Sequence, residues 1–329
     1  MKAVSNIVLL ILVALNLTSC LVTDFSKTLS IEIMKPGIIN FPENANTIAL
    51  VNRCFYINDT IPFKYFNGRG IVADTNTKYK ALSDTCVNAL AGFLKEDGYF
   101  KKVINYQDSI ASLFPLTPEK MFQKTKSDII IYLDFFNFNV VALYGLGDVT
   151  SNMAALSWTI AIKNDSLSYI YNQMDTLNYD PFVSPVITSD QMKIKMLADN
   201  SSKYLGRIMG TKIVPYWTPV ERIYYKSNNQ NMLLAEKYAL ENNWLKAAEF
   251  WNAQTKNKNP KIAAKASYNM ALACEMEGKP DVAIDWLILS FESLKQNSEA
   301  HKANCQLYIK VLALRKKELE KLEKQIRNN

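Results

Sequence analysis

The chain of 329 residues holds a single histidine, His301, and that scarcity excludes whole classes of chemistry. A serine–histidine–aspartate or cysteine–histidine site would have to use this one imidazole. A histidine-rich metal site cannot be built. His301 stands beside Lys302, in polar company, with no nucleophile or second ligand close by in sequence. The expectation is a solvated surface histidine. Glycine is scarce too, at 10 residues. Gly68-Arg-Gly70 and Gly145-Leu-Gly147-Asp148 lack the spacing of phosphate loops, and no lysine followed by Ser or Thr closes either. No cofactor and no metal is expected. None of the five cysteines forms a Cys-x-x-Cys pair, so zinc and thioredoxin-like readings have no support. Cys54, Cys86, Cys274 and Cys305 read as small buried hydrophobes. A Cys274–Cys305 disulfide is the alternative, if the helices carrying them are neighbours. Asp128 and Asp134 flank one apolar run, six residues and about 20 Å apart on the same face of an extended chain. That is too far for a two-carboxylate glycosidase. The expectation is a protein without catalytic activity.

Long apolar runs are also lacking, except at the start. Lys2 supplies a positive charge, Ile7 to Leu15 is apolar, and Leu17-Thr18-Ser19-Cys20 follows. The run is shorter than the roughly 20 residues a spanning helix needs. The layout is that of a secretory signal, and it resembles a bacterial lipoprotein signal with its lipobox. A thiol at Cys20 would take a diacylglyceryl group. The freed amino group would then be acylated, for example with palmitate. Two or more acyl chains, at about 0.8 kcal/mol per buried methylene, make a stable anchor. Residues 1–19 are therefore read as signal, and the membrane is reached through the lipid on Cys20. Leu21, not an aspartate, follows the cysteine. By resemblance to Gram-negative lipoproteins this implies the outer membrane, with the periplasmic or surface face open.

What is present is enough to fold. Hydrophobic residues make up 49% of the chain, and its length suits about two domains. The net charge of +7 comes mainly from the C-terminal third, where acids interleave with bases, as in the stretch from Arg315 to Arg327. Solvated helix faces explain this, and nucleic-acid binding is not expected.

Residues 20–35 read as a tether and 36–222 as an α/β domain. Thr47 to Val51 is a buried strand by its strand-forming, apolar composition. Residues 56–76 read as loop. Residues 78–97 carry Tyr79, Leu82, Cys86, Leu90, Phe93 and Leu94 on one helical stripe, with Gly98 as the stop. Asp128 to Phe136 is a strand, and 139–153 a turn or long hairpin loop. Residues 155–163 alternate as a strand that Tyr169 to Asp175 can pair with. Thr188-Ser-Asp-Gln191 is a capping box opening a helix to about Met209. Helices packed against a sheet follow: an α/β sandwich. Pro215-Tyr-Trp-Thr-Pro219 closes it. Tyr216, Trp217, Tyr224 and Tyr225 cluster at the boundary, as buried rings or as a binding surface for sugars or peptides.

Residues 223–329 read as all helix, with a repeat. Tyr238, Ala247 and Trp251 have counterparts 36 residues on at Cys274, Ala283 and Leu287, and Gly278 stands where Asn242 stands in the first copy. Small Ala271 and Ala283 would let helices approach, and Gly278 would make the tight turn. Pro260 closes the first copy. A longer helix from about Ser298 to Ile326 caps the array. The stretch Ala266 to Trp286 resembles the tetratricopeptide repeat, whose period is about 34. Trp244, Trp251 and Trp286 read as core of the helix pairs.

The mature chain as a whole resembles a family of bacterial envelope lipoproteins that join a small α/β domain to a short tetratricopeptide tail. The matching stretches are Ile31-Glu-Ile-Met-Lys-Pro36, Thr47-Ile-Ala-Leu-Val-Asn-Arg53, Val214-Pro-Tyr-Trp217 with Glu221-Arg222, and the repeat. The α/β part is more weakly similar to small periplasmic domains of curli-export and Tol-type proteins. Neither resemblance brings an activity with it. The tetratricopeptide resemblance implies a groove lined by first-helix residues: Asn229, Met232, Glu236 and Ala239, then Lys265, Tyr268, Leu272 and Glu275. The functional expectation is a lipid-anchored interaction or scaffold module for another envelope protein. The alternatives are a hydrolase or glycan-processing accessory of the envelope and a purely structural lipoprotein. A small-molecule ligand is left open.

Overall fold

The computed structural model describes residues 26–56, 59, 63–66, 71–74, 78–107, 116–143, 149–165, 168–179, 190–294 and 298–326. The signal with Cys20, Thr188 of the capping box, and the two glycine pairs lie outside these residues. The described chain divides into two compact units. One holds residues 26–35 and Trp217–Lys321; the other holds Pro36–Tyr216 and residues 322–326.

The second unit is mixed α/β. Its seven-stranded sheet contains β2 (Thr47–Asn52), β3 (Phe63–Phe66), β4 (Ile71–Asp74), β5 (Lys102–Tyr106), β6 (Ile129–Leu143), β7 (Val149–Ile162) and β8 (Ser168–Tyr179). The helices are α1 (Tyr79–Asp97), α2 (Pro118–Thr125) and α3 (Asp190–Ile213). Strand β2 is parallel to both β5 and β6, while β6, β7 and β8 form an antiparallel meander. As a central strand, β2 is apolar on both faces. Ile48 and Leu50 share a core with α1 and α3; Ala49 and Val51 share another with Met121 of α2.

Helix α1 buries Leu82, Cys86, Leu90 and Leu94, one per turn, and ends at Gly98 with φ 76°. Helix α3 lies close against it. A Cβ at Gly206 would strike the Cys86 carbonyl, and one at Gly210 the Phe93 ring.

Strand β6 carries a bulge. Leu133 pairs with Trp158 and Phe135 with Ser157, so Asp134 is an extra residue. Before it, Ile129, Ile131 and Leu133 face the α1–α3 core; after it, Phe136 and Phe138 do, and Phe135 is exposed. The inserted residue flips the alternation. It also removes the parity argument that put Asp128 and Asp134 on one face.

The α/β architecture and the β7–β8 pairing agree with the sequence expectation. Several readings need correction. Residues 56–76 contain the β3–β4 hairpin. The expected loop at 139–153 is largely strand, because β6 runs to Leu143 and β7 begins at Val149. Strand β5 and the short helix α2 were not anticipated; β5 is a short edge strand, and a helix of eight residues has too little period to read. The tether is shortened, because residues 26–35 form β1 (Ser26–Lys35), which pairs with β9 (Tyr216–Tyr225).

The other unit holds that two-stranded ribbon and the C-terminal helical region: α4 (Gln230–Leu240), α5 (Trp244–Asn252), α6 (Pro260–Met276), α7 (Pro280–Ser293) and the body of α8 (Glu299–Gln325). Asn242, between α4 and α5, has φ 58°; Gly278, between α6 and α7, has φ 69°. Both take the left-handed conformation that glycine and asparagine tolerate best. The repeat-equivalent residues Ala247 and Ala283 are fully buried, as are Trp251 and Leu287. Pro260 opens α6 behind an Asn259 cap, where its missing N–H costs nothing. Helix α6 is buried on nearly every side. Cys274 and Cys305 are free thiols, so the alternative disulfide is absent.

Candidate functional site

The first-helix residues expected to line an open groove meet a strand of their own chain. The side-chain amide of Asn269 accepts from the Tyr225 N–H at 2.8 Å and donates to the Tyr225 carbonyl at 2.8 Å. Such a two-way bond pins an extended backbone to a helix. Arg222 of β9 makes a forked pair with Glu275, Nε to Oε2 at 2.9 Å and Nη2 to Oε1 at 2.7 Å. The Tyr308 hydroxyl donates to the same carboxylate at 2.6 Å. The Arg222 and Glu275 side chains are only 10% and 2% exposed. The Tyr308 hydroxyl stays protonated far above its usual range, first through burial and then through the Glu275 charge.

The rest of the expected set follows the same strand. Glu236 accepts from the Tyr224 hydroxyl and pairs with Lys226, each at 2.8 Å. Tyr268 packs edge-on against Tyr225, and the Lys265 ammonium lies 5.7 Å from the Tyr225 ring centre. Met232, Ala239 and Leu272 are buried in a core with Tyr224, Ile31 and Ile33. Asn229 is the cap of α4, accepting from the Asn231 and Met232 N–H groups. The expectation of an open groove is therefore corrected. Glu236, Lys265, Tyr268 and Glu275 contact β9 or Lys226 beside it instead of lining an open groove. The sequence signals that were missed are Asn269, a polar residue in an otherwise small and apolar helical run, and the alternation along β9. Pro219 is accommodated in β9 because Trp217, Pro219 and Glu221 all lie on its exposed side. The aromatic cluster divides accordingly: Tyr224 and Tyr225 are buried, while Trp217 is 63% exposed.

His301 is not a surface residue. It is 3% exposed, on the buried stripe of α8 with Cys305, Tyr308 and Leu312. Its Nε2 lies 3.0 Å from Ser290 Oγ, and Ser290 donates to the Ala264 carbonyl at 2.7 Å. The hydroxyl proton is thus committed, so the imidazole acts as donor to Ser290. Cys305 lies 3.6 Å from the same nitrogen, but burial pushes its thiol up to about 11 and keeps it protonated. The three side chains tie α6, α7 and α8 together.

Neither carboxylate singled out from the sequence is poised for acid–base work. Asp128 Oδ2 accepts from the Asn46 and Thr47 N–H groups at 2.9 Å each, anchoring the start of β2. Asp134 is paired with Arg53, whose guanidinium lies 4.2 Å from the Tyr132 ring centre. Among the described residues no group of three or more His, Cys, Asp or Glu side chains could hold a metal ion, and no helix is long and apolar enough to cross a membrane.

The α/β unit has a concave feature of its own. After β2 come the β3–β4 hairpin and then α1, on one face of the sheet, while β5 is followed by α2 on the other. Adjacent parallel strands whose connections part in this way leave a crevice at their carboxyl ends. A cavity of about 230 Å³ lies there, lined by Asn52, Asn105 and Gln107 from the strand ends and by Lys80, Asp84 and Asn88 from α1.

The family model described as Domain of unknown function (DUF8603) matches residues 45–225, more than half of the chain. The chain belongs to this family. The DUF8603 match takes in every residue of the cavity and ends with β9. A second model, Domain of unknown function (DUF6340), matches residues 234–314, from within α4 to within α8. No curated protein matches the sequence. Solved structures with likeness include a minor lipoprotein from Acinetobacter baumannii, with 9% identity over 53% of this chain and 98% of that one, at a TM-score of 0.27. The PelC dodecamer from Paraburkholderia phytofirmans gives 6% identity over 56% and 99%, at 0.29. A Xanthomonas campestris protein matched to the model DUF330 gives 11% over 54% and 92%, at 0.30. At these scores the likenesses carry no argument about this chain.

Proposed function

We propose that this DUF8603 protein is a lipid-anchored, non-catalytic interaction protein of the outer membrane, whose helical unit is a short tetratricopeptide-like array. The observation that carries the reading is the repeat in three dimensions. Asn242 and Gly278, Ala247 and Ala283, and Trp251 and Leu287 stand 36 residues apart, and each pair shares its backbone conformation or its burial. Arrays of this kind present surface to protein partners. Because α6 holds β9, the partner meets the array elsewhere. Leu307 and Leu314 of α8, seven residues apart and 60% and 63% exposed, supply an apolar stripe at the end of the array. The anchor is Cys20, with the Leu17–Cys20 lipobox as its support.

The test is a photo-crosslinking amino acid at position 307 or 314 of the full chain in its native envelope, with the Cys20→Ala variant alongside. One discrete adduct, common to both positions and lost when Cys20→Ala abolishes fatty-acid labelling, is expected. A membrane-bound protein that gives no adduct at either position contradicts the interaction reading. Fatty-acid labelling that persists in Cys20→Ala contradicts the anchor.

A further inference from the structure

We infer that the cavity at the carboxyl ends of β2 and β5 binds a neutral saccharide. The site belongs to the α/β unit and does not rest on the interaction reading. The charges of the site are balanced. The Lys80 ammonium pairs with Asp84 at 2.6 Å, so among the described lining residues the one cation and the one carboxylate are matched. The amino-terminal end of α1 is also engaged, because Asp59 Oδ1 accepts the Lys80 N–H at 2.7 Å. Among the described lining residues an anion would find no unpaired cation, which phosphate and carboxylate sites use. A nucleotide or a sugar phosphate is therefore disfavoured.

The lining is also dense in carboxamides. Asn52 forms the floor. It is 8% exposed, donates to Ser83 Oγ at 2.8 Å and Asp84 Oδ1 at 2.6 Å, and accepts from the Cys54 N–H at 3.1 Å. Its hydrogen bonds are satisfied, so it serves as a rigid base rather than a ligand group. Above it the Asn88 oxygen accepts from both Asn105 Nδ2 and Gln107 Nε2. That arrangement turns the Asn88 amide nitrogen into a donor, and the Asn105 and Gln107 oxygens into acceptors, within one cluster. A hydroxyl both donates and accepts, so adjacent sugar hydroxyls match neighbouring carboxamides as a singly charged ligand does not. An extended peptide would need apolar sockets for alternate side chains. Among the described lining residues Val87 is the one aliphatic side chain, so a peptide is the weaker fit.

The full chain is titrated by calorimetry with two neutral disaccharides, diacetylchitobiose and maltose, and with inorganic phosphate and triglycine as contrasting probes. Saturable binding of at least one disaccharide is expected, with none of phosphate or triglycine. Asn88→Ala removes the shared acceptor and the donor, and should weaken the disaccharide about tenfold or more, the equivalent of roughly one hydrogen bond. Asn88 is exposed, so the variant should fold; its melting curve verifies this. Gln107→Ala, at a second exposed position, should weaken binding in the same direction. The proposal is overturned if neither disaccharide saturates, if phosphate or triglycine binds instead, or if both folded variants bind the disaccharide as the wild type does.

Discussion

The helical unit and the α/β unit each hold a polar, charged cluster, and they use it in opposite ways. In the helical unit the ionic centre is sealed. Arg222 and Glu275 are 10% and 2% exposed, with Tyr308 donating to the same carboxylate. In the α/β unit the corresponding pair, Lys80 and Asp84, is 35% and 38% exposed and sits on the wall of a cavity. The residue types are much alike. What differs is a strand: β9 is bonded to α6 through Asn269 and Glu275, while the carboxyl ends of β2 and β5 are left as a cleft. A set of groove-lining side chains in sequence therefore identifies a face that grips an extended chain, and says nothing about whose chain it grips.

The largest expected effect tests the sealed side of this contrast. Glu275→Ala strands the Arg222 guanidinium in a buried site. It should cost the helical unit about 3–5 kcal/mol, as for other broken buried pairs. Denaturant unfolding of the full chain would register it, and a loss under 1 kcal/mol would mean that the pair is solvated. Next comes the packing of α1 on α3. Gly206→Ala places a Cβ against the Cys86 backbone carbonyl, which cannot rotate away, and should cost about 1–3 kcal/mol. A variant as stable as wild type would put the two helices further apart than described. The open side predicts a small effect. Lys80→Ala removes a half-exposed charge pair and should cost no more than about 1 kcal/mol. A larger loss would show that the cavity wall carries the fold.

The contrast is silent at neutral pH for the tyrosines and emerges in alkali. Burial first of all raises the Tyr268 and Tyr308 hydroxyls of the helical unit and the Tyr56 hydroxyl of the α/β unit above their ordinary value. Unfolded phenols ionise near pH 10 while these stay protonated. The unfolded state then binds fewer protons, so stability is unaffected below about pH 10 and falls as pH rises above it. An absorbance titration of tyrosinate, run beside denaturation at each pH, should find part of the tyrosine ionising only as the protein unfolds. Complete ionisation in the folded state would contradict the burial.

How much of this was legible in the sequence depended on whether a signal was local. Leu82, Cys86, Leu90 and Leu94 announce α1 by spacing alone, and Gly98 its end. Asn242 and Gly278 mark equivalent turns because both tolerate positive φ. The readings that failed needed a partner from elsewhere in the chain. His301 looked solvated beside Lys302, yet the stripe it shares with Cys305 and Tyr308 is the buried one. The extra residue at Asp134 reverses the facing of β6, and strict alternation hides it. Strand β1 was taken for tether because its pairing partner, β9, lies nearly two hundred residues away and carries Pro219. The cavity was hidden for the same reason: Asn52 and Asn105 end two strands that only the fold makes neighbours, and β5 had not been recognised.

The central claim is that α6 of the helical unit holds the chain's own strand β9. The exchange rate of the Tyr225 amide proton tests it directly, since that N–H is buried and bonded to Asn269 rather than to water. The account predicts slow exchange in the full chain, comparable to the interior of α6, and a large acceleration in Asn269→Ala. Fast exchange of the Tyr225 amide in the wild type, at the rate of an exposed loop, would contradict it and return the first-helix face to an external partner.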